Sequence, residues 1–257
     1  GAMPGVGAQA AALGWRCCVN IARHPTLLRV QLGTFLLMAL LLGIVFANVD
    51  DDAAGFQDKA GSLNFILYFF GFGGLSMLSS VAEDWALFWR EYHAGLYGAA
   101  THVSVKLCLD LLLVRVLPAL TFGAIAYATI GLRREAGAFL LFEVAVALAN
   151  LNAGLLCSAV GLAFHHSPAA ATLLAVVVML FTLLFAGLQL NLDEMPAVVR
   201  GVPYCSWAYY AYDLLLTTEL KNDLVQIEVP GNPSVYLQAE LRRPRTLTQT
   251  LTTYPSH

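Results

Sequence analysis

The stretch LLRVQLGTFLLMALLLGIVFANV, residues 27–49, decides the fold class of this chain. Its one charged residue, Arg29, lies near the beginning, and the remainder is almost entirely apolar. The hydrocarbon core of a bilayer is about 30 Å thick, and an α-helix needs about 20 consecutive apolar residues to cross it. The stretch therefore predicts a first membrane-spanning helix.

Four further apolar runs follow this helix. They are Gly61–Ala82, Val103–Ile130, Ala138–Phe164 and Ala169–Leu190. Over the whole chain, 58% of the residues are hydrophobic and 12% are charged, whereas soluble domains carry about 25% charged residues. The net charge of −3 provides no basic surface for nucleic acid. We therefore expect an all-α, multi-pass integral membrane protein with about five spans, in the plasma membrane or an internal membrane, without a nucleic-acid partner.

The distribution of Lys and Arg predicts the orientation, because positive charges collect on the cytosolic side of membrane proteins. Three arginines precede or open the first span: Arg16, Arg23 and Arg29. The next loop holds four acidic residues against Lys59. We expect a cytosolic N-terminus, with the loop 83–102 inside and the residues after Asn191 outside; Arg133 and Arg134, in an outer loop, oppose this assignment. Upstream, LGWRCCVNIAR predicts an amphipathic interfacial helix rather than a disordered tail.

Charged and polar residues inside the spans are candidates for function, because a charge in hydrocarbon costs several kcal/mol unless it is paired or hydrated. Lys106 and Asp110 are four residues apart, so they can pair on one helix face. For Arg115 and Glu143 two interpretations remain open: the side chain extends to the headgroups, or it is buried with a structural or pathway role. Asn150, in mid-span, favours interhelical hydrogen bonding over ligand binding.

The sequence contains no motif of a catalytic or metal site. It has no CxxC, HExxH or GxSxG pattern and no Gly-rich phosphate loop with GK[ST], which are the patterns that bind metals, activate a nucleophile or hold ATP. We therefore predict no catalytic residue, no metal ligand and no cofactor bound by this chain.

The stretch FWREYHAGLYGAATHV, residues 88–103, lies between the second and third apolar runs. It combines charged residues, aromatic residues, two histidines and two glycines. Such an amphipathic stretch is either a connector on the membrane surface or a docking element for a partner outside this chain.

From this stretch onward the sequence resembles the membrane domain of G-subfamily (White-type) ABC transporters. Those domains carry RE-x-x-x-G-x-Y in an inner loop, and K-x-x-x-D, R-x-x-P and Y-x-x-x-GL along the third span. The matching residues are Arg90, Glu91, Gly95, Tyr97, Lys106, Asp110, Arg115, Pro118, Tyr127, Gly131 and Leu132. NIARHPTLL resembles the family's elbow, LLFAGLQLN the end of its fifth span, AYYAYDLLLTTEL its outer re-entrant segment and IEVPG a motif of its fungal-type branch. The similarity covers nearly all of residues 14–235.

The resemblance implies an ABC-2 type fold with roles for particular residues. The inner loop would be a coupling helix on a nucleotide-binding domain, with Arg90, Glu91, Gly95 and Tyr97 at the contact. The substrate cavity would lie between the second and fifth spans of two copies. Phe72 would stack there on a flat ligand, and Leu188 and Gln189 would close the cavity from outside. Some relatives carry a pair of leucines at these two positions, and Gln189 departs from that pair, so an all-apolar plug does not follow.

The implied organisation has four parts. They are a cytosolic segment with an amphipathic elbow helix (1–26), a transmembrane domain with the coupling-helix loop 83–102 (27–190), an outer re-entrant region (191–236) and a disordered tail (237–257). The nucleotide-binding domain, which would bind ATP and Mg, and the family's sixth span are not found in the sequence. We therefore expect a truncated or fragmentary gene product, or an incomplete gene model.

The expected function is ATP-driven export of lipids, sterols or amphipathic small molecules by alternating access. The expected partners are a second copy or a related half-transporter, the nucleotide-binding domain and membrane lipids. Two alternatives remain open: a membrane-embedded enzyme acting on lipid substrates, and a regulatory membrane subunit that does not transport.

Overall fold

The computed structural model describes residues 5–23, 26–46, 53–132, 135–187 and 201–220, and within these ranges the regular structure is helical. The α-helices are α1 (Val6–Arg23), α2 (Thr26–Val45), α3 (Ala53–Gly73), α4 (Ser76–His93), α5 (Ala99–Asp110), α6 (Leu117–Ile130), α7 (Ala136–Ala163), α8 (Pro168–Leu184) and α9 (Trp207–Leu220). A π-helical segment, Leu111–Val116, joins α5 to α6, and a 3₁₀ turn, Val202–Cys205, precedes α9. The all-α prediction is confirmed.

Within the described ranges, three helical stretches are long and apolar enough to cross a membrane. They are Leu28–Val45, Gln57–His93 and Ala136–Ala163. Two shorter helical stretches, Val114–Ile130 and Pro168–Leu184, are also apolar. Each of the five predicted spans overlaps one of these stretches.

The second predicted span differs from the structure in its limits. The sequence predicts a helix that ends at Ala82, but α3 ends at Gly73 and, after a turn at residues 74–75, α4 continues to His93. Neither Gly nor Pro occurs within α4, so nothing in its sequence ends the helix before Gly95, which has a φ of +70° that favours glycine. The predicted loop 83–102 is thus reduced to a turn at 94–98.

The third predicted span is also irregular. Residues 111–116 are π-helical, directly before α6. Pro118 provides the physical reason, because a proline ring clashes with the carbonyl four residues earlier in a regular α-helix. That carbonyl belongs to Val114, and the wider π turn lies at this position.

The chain forms two compact units, and the first consists of residues 1–38, 70–122 and 150–179. Three buried rings form the centre of its core: Phe35, Phe70 and Phe122, with centroids 5.1–6.4 Å apart in edge-to-face geometry. Aromatic pairs of this kind contribute about 0.5–1.5 kcal/mol each beyond their buried area. α3 and α7 come close at Gly74, where an added Cβ would lie 2.9 Å from the carbonyl oxygen of Ala153.

The second unit consists of residues 39–69, 123–149 and 180–257. The Tyr127 ring of α6 packs on Phe139 and Phe142 of α7, with centroids 5.2 Å apart in both pairs. The segment predicted to be re-entrant forms α9, and Ser206 just before it donates a 2.6 Å hydrogen bond to the Thr182 carbonyl of α8. The predicted tail, 237–257, lies outside the described residues.

Candidate functional site

The predicted elbow helix contacts the turn between α4 and α5 through Glu91. Arg16 of α1 donates from NH1 to Oε1 of Glu91 over 2.6 Å, and the hydroxyl of Tyr97 donates to Oε2 over 2.6 Å. Both carboxylate oxygens are therefore occupied, one by α1 and one by the turn. The Glu91 side chain is 16% exposed and that of Arg16 is 54% exposed, so the pair lies at the edge of the packed region.

A second contact fixes the same turn. The backbone N–H of Gly98 donates to Oε1 of Gln9 over 3.2 Å, and Gln9 is buried on the first part of α1. Gln9 was not predicted as a site residue, because a single Gln on an amphipathic helix is typical of its polar face. The bond from Gly98 to Gln9 holds α1 to the end of the turn 94–98. The bond from Arg16 to Glu91 holds α1 to the last part of α4, just before the turn.

The hydrogen bonds at Glu91 shift two pKa values. Partial burial raises the pKa of the carboxyl, but the hydrogen bonds from Tyr97 and Arg16 and the positive charge of Arg16 outweigh it and hold the pKa of Glu91 below its usual range. Burial, together with the bond to Glu91, raises the pKa of Tyr97. Glu91 is therefore ionised and Tyr97 is a neutral hydrogen-bond donor at physiological pH.

An aromatic row follows α4 into this turn. Trp85 and Trp89 stack with centroids 5.7 Å apart and planes at 19°, and Tyr92 stacks on Trp89 at 6.3 Å. Tyr97, which donates to Glu91, also stacks on His102 of α5 at 5.2 Å and 7°. Trp89 and Tyr92 are 49% and 44% exposed, and Arg90 is exposed between them. The C-terminal end of α4, directly before the turn, therefore presents aromatic and cationic groups outward.

Arg115 is fully buried, in the π segment, so it does not extend to the headgroups. Its NH1 donates to the Gly73 carbonyl (3.1 Å) and to Oδ1 of Asn150 (3.3 Å). Its NH2 donates to the Gly74 carbonyl (3.3 Å) and to the Ser76 hydroxyl (2.9 Å). The carbonyls at a helix C-terminus lack intrahelical partners, and Arg115 supplies donors to them where α3 ends.

Phe72 directly precedes the backbone that Arg115 holds. It is 38% exposed, whereas Phe70, two residues earlier, is fully buried in the core. The structure thus brings the predicted intramembrane cation next to the backbone of the predicted substrate-binding residue. The sequence alone does not indicate that Arg115 and Phe72 are neighbours. Arg115 bonds backbone carbonyl oxygens here, and these are present at every residue and carry no sequence signal.

Some of the other predicted site residues lie in the part of the chain that the structure describes, and some lie outside it. Glu143 is buried on α7, so it does not extend to the headgroups either. Lys106 and Asp110 lie on α5, but their side chains are outside the described part, and so are Leu188 and Gln189. The Lys106–Asp110 pair and the cavity-closing residues therefore stay predictions.

Among the residues that the structure describes, no group of three or more His, Cys, Asp or Glu side chains could hold a metal ion. Within the first unit, the candidate site consists of two groups of polar contacts. We call the hydrogen bonds around Glu91 the Glu91 joint and those around Arg115 the Arg115 joint. α4 runs from the second to the first.

Residues 8–220 match the family described as ABC-2 type transporter. The match covers the elbow, the apolar helices and α9. It therefore includes both polar joints and Phe72.

Three relatives illustrate the similarity. A "Probable ATP-dependent permease" of Saccharomyces cerevisiae is 32% identical over 87% of this chain and 22% of the permease. The "Broad substrate specificity ATP-binding cassette transporter ABCG2" of Bos taurus is 29% identical over 74% of this chain and 28% of that protein. "Protein white" of Drosophila melanogaster is 29% identical over 82% of this chain and 31% of that protein. The chain thus spans less than a third of the length of these relatives.

Proposed function

We propose, from the premise that this chain belongs to the ABC-2 type transporter family, that it forms the membrane part of a half-transporter exporting lipids, sterols or other amphipathic small molecules. The family, the apolar helices and the White-type relatives make it a multi-pass membrane protein of the transport class. A complete transporter needs an ATPase domain and a second membrane domain, so the proposed partners are a nucleotide-binding domain and a second copy or a related half-transporter.

The observation that supports coupling is the double hydrogen bonding of Glu91. One oxygen bonds α1 and the other bonds Tyr97 in the turn, so a force on the outward face of the turn displaces α1, the turn and α4 together. The exposed groups of that face, Arg90, Trp89 and Tyr92, offer a cation and flat aromatic surface to a soluble partner. In this proposal the partner is the ATPase domain, and the turn lies in the cytosol.

α4 supplies the transmission from the turn to the substrate site. It is an 18-residue helix, which corresponds to about 27 Å at 1.5 Å per residue. Its far end begins at Ser76, whose hydroxyl accepts from Arg115. Movement of the turn therefore reaches the backbone beside Phe72 through one unbroken helix, which supports alternating access with Phe72 at the moving end.

The proposed substrate contact is the half-exposed ring of Phe72. A ring that is 38% exposed on an apolar helix can stack on a flat, apolar ligand, and a second copy would supply the facing ring. Leu188 and Gln189 complete the proposed cavity. An amide at Gln189 favours ligands with at least one polar group, such as a hydroxyl, because a buried amide needs hydrogen-bond partners.

The test uses the complete transporter, with its ATPase domain, in lipid nanodiscs and proteoliposomes. Glu91→Gln removes the charge and weakens the bond to Arg16 without changing the size of the side chain. We expect unchanged dimer assembly and membrane insertion, and a loss of substrate-stimulated ATP hydrolysis and of export.

Glu83→Gln is the matched control, because Glu83 is an exposed acid on the same helix. It should leave both activities unchanged. If Glu91→Gln behaves like Glu83→Gln in both assays, the coupling function is excluded, and the turn is only a connector on the membrane surface.

A further inference from the structure

In the second unit, α6 and α7 meet at Gly123 and Glu143. Glu143 is 6% exposed. A Cβ placed on Gly123 would lie 2.7 Å from both carboxyl oxygens of Glu143, a distance that carbon and oxygen atoms do not reach without a bond. The carboxyl group therefore lies directly against Gly123, and any larger residue at this position would displace it.

The carboxyl group of Glu143 has no partner in the described part of the chain. Both oxygens are buried, and neither accepts or donates a hydrogen bond there. Lys59 is the only Lys or Arg among the described residues of the second unit, and it forms no ion pair with Glu143. Among the described residues of the second unit, a carboxylate at Glu143 would therefore be both desolvated and without a counter-charge.

The titratable groups around this position are few. On residues 123–130 of α6 and 136–149 of α7, Tyr127 is the only one besides Glu143, and residues 39–45 of α2 and 180–184 of α8 carry none. The remaining titratable groups of the described second unit are Asp58, Lys59, Tyr68, Glu135, Tyr204, Cys205, Tyr209, Tyr210, Tyr212, Asp213 and Glu219. The aromatic ring of Tyr127 packs on Phe139 and Phe142.

An ionised carboxylate in apolar surroundings costs several kcal/mol unless it is paired, so this group needs a cation. The contact with Gly123 leaves no room on that side for a metal ion or an ammonium group. A proton binds to the carboxyl oxygen itself and needs no additional space. We propose that Glu143 is an intramembrane proton-binding site, which holds its proton as long as α6 and α7 are packed at Gly123.

Release of the proton requires that these two helices separate. When water reaches the carboxyl group, the O–H bond breaks, the proton passes to water, and Glu143 keeps the electron pair as a carboxylate. Repacking of the helices then requires that a proton returns. The proposal does not depend on the transported substrate, since it concerns only the packing of α6 on α7.

The test is infrared spectroscopy of the complete chain in nanodiscs at pH 7. A protonated carboxyl group has a C=O stretching band that is separate from the carboxylate bands. We expect this band in the wild type, its loss in Glu143→Gln, and its retention in Glu135→Gln, which removes an exposed acid from the same segment. Glu143→Gln should fold with unchanged yield, because the amide is a neutral group of the same shape.

A second pair of variants tests the contact with Gly123. Gly123→Ala should shift or abolish the band, because the added Cβ displaces the carboxyl group, whereas Gly137→Ala, with nothing within 4 Å of its Cβ, should leave the band unchanged. Identical wild-type and Glu143→Gln spectra would overturn the proposal. A Glu143→Gln variant that does not fold would overturn it as well, since an ionised carboxylate with an external cation would then be the native form.

Discussion

Arg115 and Asn150 bond to each other twice. NH1 of Arg115 donates to Oδ1 of Asn150 over 3.3 Å, and Nδ2 of Asn150 donates to the backbone carbonyl of Arg115 over 2.8 Å. The two bonds fix the orientation of the amide and join α7 to the π segment. They also hold the guanidinium where its other donors reach the end of α3.

The first prediction concerns this pair. Asn150→Ala should lower the free energy of unfolding by about 1–3 kcal/mol, because it leaves buried polar groups without partners. Asn152→Ala, two residues away at an exposed position, should change it little. Thermal unfolding in nanodiscs measures both. In a double-mutant cycle with Arg115→Met, we expect a coupling energy of about 0.5–3 kcal/mol; strictly additive effects would show that the two side chains do not act together.

The second prediction concerns the pH dependence of the Glu91 joint. The folded-state pKa of Glu91 lies below its usual range, so the stabilisation is present above the unfolded-state pKa, about 4.3, and is lost as the pH falls through the lower folded-state pKa. Tyr97→Phe removes one of the bonds that lower this pKa. We expect the variant to be less stable by about 1 kcal/mol at pH 7, with the difference vanishing at the acid end of the titration.

Tyr92→Phe is the control for this experiment, because its ring is 44% exposed and its hydroxyl does not bond to Glu91. Melting temperatures are measured from pH 7 down to a pH below the folded-state pKa of Glu91. A Tyr97→Phe deficit that is constant over this range would indicate lost packing rather than a lost bond to an ionised carboxylate.

The third prediction concerns Phe72. Aromatic stacking contributes about 0.5–1.5 kcal/mol beyond buried area, so Phe72→Ala in the complete transporter should weaken substrate binding about tenfold without changing dimer assembly. Phe65→Ala is the control, since Phe65 is a similarly exposed ring on the same helix, 44% exposed. Equilibrium binding is measured on monodisperse, dimeric protein. Native affinity in Phe72→Ala would remove this residue from the site.

The fourth prediction compares two neighbouring glycines. An alanine at Gly74 would place its Cβ 2.9 Å from the backbone oxygen of Ala153, whereas Gly73 has nothing within 4 Å. Because a backbone cannot move aside easily, Gly74→Ala should destabilise the protein by about 1–3 kcal/mol. Gly73→Ala should be neutral or slightly stabilising, since Ala favours a helix over Gly by about 1 kcal/mol. Equal melting temperatures would contradict the close approach of α3 and α7.

The sequence predicted the helices well and their interruptions poorly. Apolar runs report which residues avoid water, and each of the five predicted spans overlaps an apolar helical stretch of the structure. The end of α3 at Gly73 and the length of α4 depend on local backbone geometry, which hydropathy does not register. The π segment depends on the clash between Pro118 and the carbonyl of Val114. The apolar pattern of the third span does not indicate this clash.

The sequence singles out Arg115 and Glu91 as candidate site residues, but it does not predict the contacts that the structure shows for them. Arg115 and Glu91 are unusual enough in their surroundings to be noticed. Their partners include backbone carbonyls and a neutral Gln9, which carry no signal in a single sequence. The contact of Glu143 with Gly123 requires knowledge of which faces of α6 and α7 meet, and neither helix has a continuous polar face that would indicate this.

The stacked indoles of Trp85 and Trp89 have a practical consequence. Two nearly parallel chromophores 5.7 Å apart couple their electronic transitions and give a circular dichroism signal in the near ultraviolet. The chain has four tryptophans, and only this pair is stacked among the described residues. The native protein therefore carries its own optical reporter on α4, and the amplitude of that signal follows any bending or unwinding of the helix without an attached dye.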